Sequence, residues 1–111
     1  MLASDVITVA RENLEDTIVE YRFEDPELLT ALTSATRRLA TDKPDLLVDS
    51  DGTLIAVVDV TAVGNTLIFD RDWLEALSSF LCHLIFLKDS SDTYNATQAA
   101  TQLALYKAAI N

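Results

Sequence analysis

The sequence predicts a mainly α fold: a four-helix, bundle-like body with a small antiparallel β-ribbon inserted between the second and third helices. Three observations point to it. Apolar residues recur at three- and four-residue spacing over about residues 4–16, 26–42, 71–88 and 92–110. A capping residue stands at the head of each of these segments. Between the second and third, over about residues 46–69, the pattern changes to β-branched runs broken by turn signals. Only two glycines interrupt the 111 residues and half of all residues are apolar, which suits one domain, residues 1–111, with a modest core.

In the first helix Ser4 is the expected N-cap, its hydroxyl placed to accept from free first-turn amides. Asp5 follows where the helix dipole favours an anion. Val6, Ile7, Ala10 and Leu14 share one face. Glu12, Glu15 and Asp16 gather at the far end, where the dipole disfavours them. A basic neighbour is therefore expected, and Arg22 is the nearest in sequence.

The second helix opens in the stretch EYRFEDPELLTAL, residues 20–32. Asp25 is the expected cap, Pro26 takes the first helical position, and Glu27 complements the dipole. Phe23 suits a hydrophobic staple onto Leu28 or Leu29. Leu28, Leu29, Leu32, Ala35 and Leu39 line the buried face together with Thr36. Arg37 and Arg38 come near the C-terminal end, and Pro44 stops the helix.

LLVDSDGTLIAVVDV, residues 46–60, reads as a hairpin turning at Asp51-Gly52. A short strand over residues 66–69 follows the break at Gly64-Asn65. Ile55, Val57 and Val58 make the strand apolar on both faces, so it wants cover on both. Another subunit is one source of that cover.

Asp70 is the expected cap of the third helix. WLEALSSFLCHLIFL, residues 73–87, is apolar nearly all round, the mark of a central helix. It is too short to span a bilayer. The fourth helix, with Ser91 as its expected cap, carries a packing seam of Ala96, Ala99, Leu103, Tyr106 and Ile110. Ala100 adds a further small residue for close helix approach.

The formal charge is −10 at pH 7, which disfavours gripping nucleic acid through its phosphates. The single cysteine, Cys82, leaves no internal disulfide framework, in keeping with a reducing cytoplasm. The N-terminus lacks the basic start and apolar run of a signal peptide. His83 stands alone, without the convergent ligands of a metal site or the partner of a general base. Cys82 and His83 point about 100° apart on one helix, which disfavours a nucleophile pair. Asp49-Ser50-Asp51-Gly52 resembles a calcium-loop fragment, but Thr53 and Val60 stand where further ligands belong. No enzyme, metal or cofactor is expected.

The order of motifs resembles the head–tail adaptor (connector) proteins of tailed bacteriophages. The matching elements are Leu14-Glu15-Asp16, Arg22-Phe23, Asp25, Glu27-Leu28-Leu29 and Pro44-Asp45, followed by two helices joined through Lys88-Asp89 and small polar residues. The second helix lacks the asparagine often seen near the middle of that family's helix. The resemblance implies a non-enzymatic virion protein of the neck, assembled in the host cytoplasm. It implies a homo-oligomeric ring, commonly twelve-fold, beneath the portal protein, extending the DNA channel and docking tail or stopper proteins. It also implies portal contact near the C-terminus, where Tyr106, Lys107, Ile110 and Asn111 lie. Arg22, Ile55 and Val57 are candidate subunit contacts. Asp49, Asp51 and Asp59 are candidate channel-lining residues, with Glu12, Glu15 and Asp16 beside them, since negative walls let DNA slide without sticking. The alternative reading is an acidic helical interaction module, such as a phage DNA mimic that occupies a nucleic-acid-binding protein.

Overall fold

The computed structural model describes residues 1–15, 23–88 and 92–111. Four α-helices carry the fold: α1 (Ala3–Asn13), α2 (Asp25–Asp42), α3 (Leu74–Leu87) and α4 (Thr93–Ile110). Short 3-10 turns occupy Pro44–Leu47 and Arg71–Trp73. As its all-round apolar surface requires, α3 is the hub and packs against α1, α2 and α4. The body measures 46 × 28 × 18 Å, and its thin dimension is that of two helix layers with axes roughly 8–10 Å apart.

The core forms where the periodic faces meet. Val6 and Ala10 of α1, Leu28, Leu32, Ala35 and Leu39 of α2, and Leu77 and Leu81 of α3 are fully buried. Truncating any one of these leucines to alanine costs about 2–5 kcal/mol, part of it from the cavity left behind. Small residues bring α1 close to α3: the Cys82 thiol donates to the Ala10 carbonyl at 3.6 Å. Burial pushes this thiol up to about 12, so it stays protonated and acts as a small core residue.

The helix ends differ from the sequence expectation in instructive ways. α1 starts at Ala3, and its N-cap is Leu2 rather than Ser4. Its first amides need no hydroxyl, because Ala3 and Ser4 donate to the carbonyls of Asn65 and Val63 at 2.8 Å each. Asp5 accepts from the Leu2 amide at 2.9 Å. α2 takes Glu24 as its N-cap without a side-chain bond. Asp25, the expected cap, lies inside the helix and pairs with Arg11 at 2.7 Å. α3 starts at Leu74 with Trp73 as its N-cap; Asp70, the expected cap, heads the 3-10 turn before it and accepts from the Asp72 amide at 3.0 Å. The cap of α4 is Asp92, which accepts from Tyr94 and Asn95; Ser91 lies outside the described residues.

The β-ribbon is corrected: among the described residues residues 46–69 form no strand, only the isolated antiparallel bridges Val48–Leu54 and Leu2–Thr66. The Asp51-Gly52 turn is present, with Gly52 at φ 81°, a left-handed conformation that glycine adopts without steric cost. Its arms pair only around Val48–Leu54, where Asp49 donates to the Thr53 carbonyl at 3.0 Å and Ile55 to the Leu47 carbonyl at 2.6 Å, and they extend no further for two reasons. Pro44 commits residues 44–47 to a 3-10 turn. Asp49 then accepts from the amides of Asp51 and Thr53, a local alternative to a ladder. The expected strand over residues 66–69 pairs instead with the N-terminus, where the Leu67 amide donates to the Met1 carbonyl at 2.9 Å.

Candidate functional site

Beyond the Asp51-Gly52 turn, residues 55–61 run without turn or bend, the Ile55 amide still donating to the Leu47 carbonyl, and form a strap over α2. Three contacts pin it. The Val60 amide donates to Thr33 Oγ1 at 3.0 Å. Arg37 pairs with Asp59. Val60 itself is buried against the core. Past the strap, Asn65 Oδ1 accepts from the Thr61 and Ala62 amides and from the Thr61 hydroxyl. This closes the turn whose carbonyls cap α1. Thr33, Arg37 and Asn65 therefore position the strap, and residues 61–65 join it to the start of the chain.

Exposure alternates over residues 54–58 as it does in an extended chain, and the alternation breaks at Asp59, which is exposed like Val58 before it. Ile55 and Val57 are half-buried, while Leu54 is 77% and Val58 62% exposed. On one side of the strap lies a cavity of about 310 Å³, walled by residues 57–60 and 65–68 over Thr36. On the other side, a shallower cleft runs between residues 59–61 and Pro26, Thr30 and Ser34 of α2.

A second cluster joins α2, α3 and α4. The Tyr106 hydroxyl donates to Asp42 Oδ2 at 2.6 Å, and Arg38 Nε donates to the same oxygen at 2.8 Å. The Arg38 guanidinium lies over the Phe80 ring, 5.3 Å from its centre, and Phe80 tilts against Tyr106 at 4.9 Å. The Tyr106 hydrogen bond, reinforced by Arg38, holds the Asp42 carboxyl below its usual range despite some burial. Burial first, and the bond to Asp42 second, push the Tyr106 phenol far up. His83 Nδ1 donates to the Ala99 carbonyl at 2.8 Å, tying α3 to α4. That bond accounts for the lone histidine structurally.

The structure places the sequence candidates as follows. Ile55, Val57 and Asp59 come together on the strap, and Asp49 and Asp51 sit at the turn before it. Ile55 and Val57 face partly inward, so Leu54 and Val58 are the strap's outward apolar residues. Arg22 and Asp16 lie outside the described residues; Glu12 and Glu15 are exposed. Tyr106 is corrected as a portal contact, because it is fully buried and bonded to Asp42. Lys107 and Asn111 are exposed, and Ile110 is half-buried against the core.

Sequence reasoning missed Arg11, which is buried at the α1–α2 junction and donates to the Phe23 carbonyl and to Asp25. Its spacing of four from Ile7 and three from Leu14 marks it as a buried-face residue. Of the seven described lysines and arginines, five are in ion pairs, which leaves no stripe of free cations for a phosphate backbone. Among the described residues no group of histidine, cysteine and carboxylates is arranged to hold a metal ion, and no helix is long and apolar enough to cross a membrane.

Comparison with family models, curated proteins and solved structures finds no match.

Proposed function

We propose that this chain is a structural virion protein: a head–tail adaptor, assembled as a ring of identical copies beneath the portal and docking tail or stopper proteins below. It works without catalysis or cofactor, and its place is the neck of the particle. The observation that carries this reading is the pair of exposed apolar patches on different elements. One is Val48, Leu54 and Val58 on the turn and strap; the other is the face of α4 that carries the exposed Tyr94 and Leu105, about 16 Å apart along the helix. A ring closed by head-to-tail contacts needs two unlike surfaces on each copy, and these patches supply them. The motif order and the mainly helical body agree with the same reading. The acidic surface, its cations largely paired, suits a passage through which DNA slides.

The test is to incubate the purified protein with purified portal and image the product by electron microscopy. The adaptor reading expects a collar on each portal, lost in the double variant Leu54→Asp and Val58→Asp. Bare portals beside a monomeric protein would overturn it. Tight capture of a DNA-binding protein, without any collar, would favour the DNA-mimic alternative.

A further inference from the structure

The strap leaves an edge of backbone without partners. Among the described residues no hydrogen bond engages the N–H or C=O of Ala56, Val57 or Val58. This is the unfinished edge that a β-sheet completes by adding a strand. The opposite wall of the 310 Å³ cavity is also half-finished. Leu67 donates to Met1 and Asn65 accepts from Ala3. Successive residues of an extended chain point alternate ways, so Thr66 between them presents its own N–H and C=O to the other edge, where no partner among the described residues meets them. The cavity thus lies between two β-like edges, residues 57–60 and 65–68, with Thr36 from α2 beneath. Four residues a side give it a length of about 13 Å, and its other lining is largely valine, leucine and isoleucine.

We infer that this slot binds an extended peptide segment of another protein, inserted as a β-strand, with apolar side chains alternating along it and lysine or arginine at its flanks. Main-chain bonds to the free edges supply the affinity, and the apolar lining selects alternate side chains. Charge complementarity selects a basic partner. Among the described residues Asp59 is the one charged residue in the lining; Arg37 pairs with its Oδ1, its Oδ2 has no described partner, and the whole chain carries −10. A second copy of this acidic chain is correspondingly disfavoured. The inference stands apart from the ring, because it concerns a single copy and its free edge.

The test is fluorescence anisotropy with the isolated full chain and three labelled nine-residue peptides. One alternates valine with lysine and threonine; a second replaces lysine by glutamate; the third repeats the basic sequence with alternate backbone amides N-methylated. The expected result is micromolar binding of the basic peptide, at least tenfold weaker binding of the acidic one, and at least tenfold loss on N-methylation. Hydrogen exchange should slow at residues 56–59 on binding. Val57→Pro and Val58→Pro remove one donor from each edge of the strap, and at least one of them should weaken binding with an unchanged melting temperature. Equal binding of the methylated and unmethylated peptides would overturn the inference, as would no binding below 1 mM. So would slowed exchange of the residue 56–58 amides in the chain alone as its concentration rises, which would make a second copy the occupant of the edge.

Discussion

Replacing Tyr106 by phenylalanine isolates a polar bond that ties α4 to α2. The ring stays, so packing against Phe80 is retained and no large cavity opens. What is lost is a hydrogen bond of 2.6 Å to a carboxylate, and such bonds contribute about 1.5–3 kcal/mol. Asp42 keeps Arg38 at 2.8 Å, and its side chain is 24% exposed, so water refills the vacated lone pair. The expected loss is therefore near the low end, about 1.5 kcal/mol. Urea titration followed by Trp73 fluorescence measures it, and the melting temperature should fall by roughly 4–8 °C per kcal/mol in a domain of this size.

The pH profile adds a signature that a packing defect would not give. Asp42 titrates below its usual 3.8 in the folded chain. Its contribution is present above that value and is lost as pH falls through the depressed one. Tyr106 titrates above its usual 10.0, so its contribution is complete below pH 10 and is lost as pH rises beyond it. The phenylalanine variant should lose the Tyr106 part of the alkaline limb, keep the part that the buried Cys82 thiol supplies above pH 9, and show a shallower acid limb. A variant within 0.3 kcal/mol of the parent, roughly the noise of additive sites, with both limbs unchanged, would refute the assignment.

Three further outcomes follow from the same geometry. Arg11→Lys keeps the charge but loses the two-armed grip on Phe23 and Asp25; it should cost about 2 kcal/mol and speed hydrogen exchange in the first turn of α2. Asn65→Ala removes an acceptor shared by three donors; it should cost about 1.5–2 kcal/mol, with exchange rising at the Ala3 and Ser4 amides. Gln102 is buried with an Oε1 that has no donor among the described residues, so Gln102→Met should raise thermal stability by about 1 kcal/mol.

Much of the helical body was legible in the sequence because single residues there answer to local rules. Pro26 and Glu27 mark the start of α2, Asp70 caps the turn before α3, and the all-round apolar run from Trp73 to Leu87 makes α3 the hub. The ribbon was misread because β-branched residues report a half-buried, extended backbone rather than a paired one. Val57 and Val60 find their burial against the helices, so the extended run is real and the ladder is not. The turn residues near Asn65 were legible as a break, but the capping of α1 by that turn depends on residues some sixty positions apart. The same distance hid the Asp42–Tyr106 bond, which made Tyr106 look available at the C-terminal end. Arg11 had a signal in its place on the apolar face, outweighed by the habit of reading arginine as solvent-facing.

An asymmetric reconstruction of the virion, with this chain located by a bound tag, tests the adaptor proposal most directly. The account predicts one ring of copies between portal and tail, with the Leu54–Val58 surface of each copy against its neighbour. Density for the chain on the capsid shell or the tail fibre, or a particle lacking it altogether, would contradict the account.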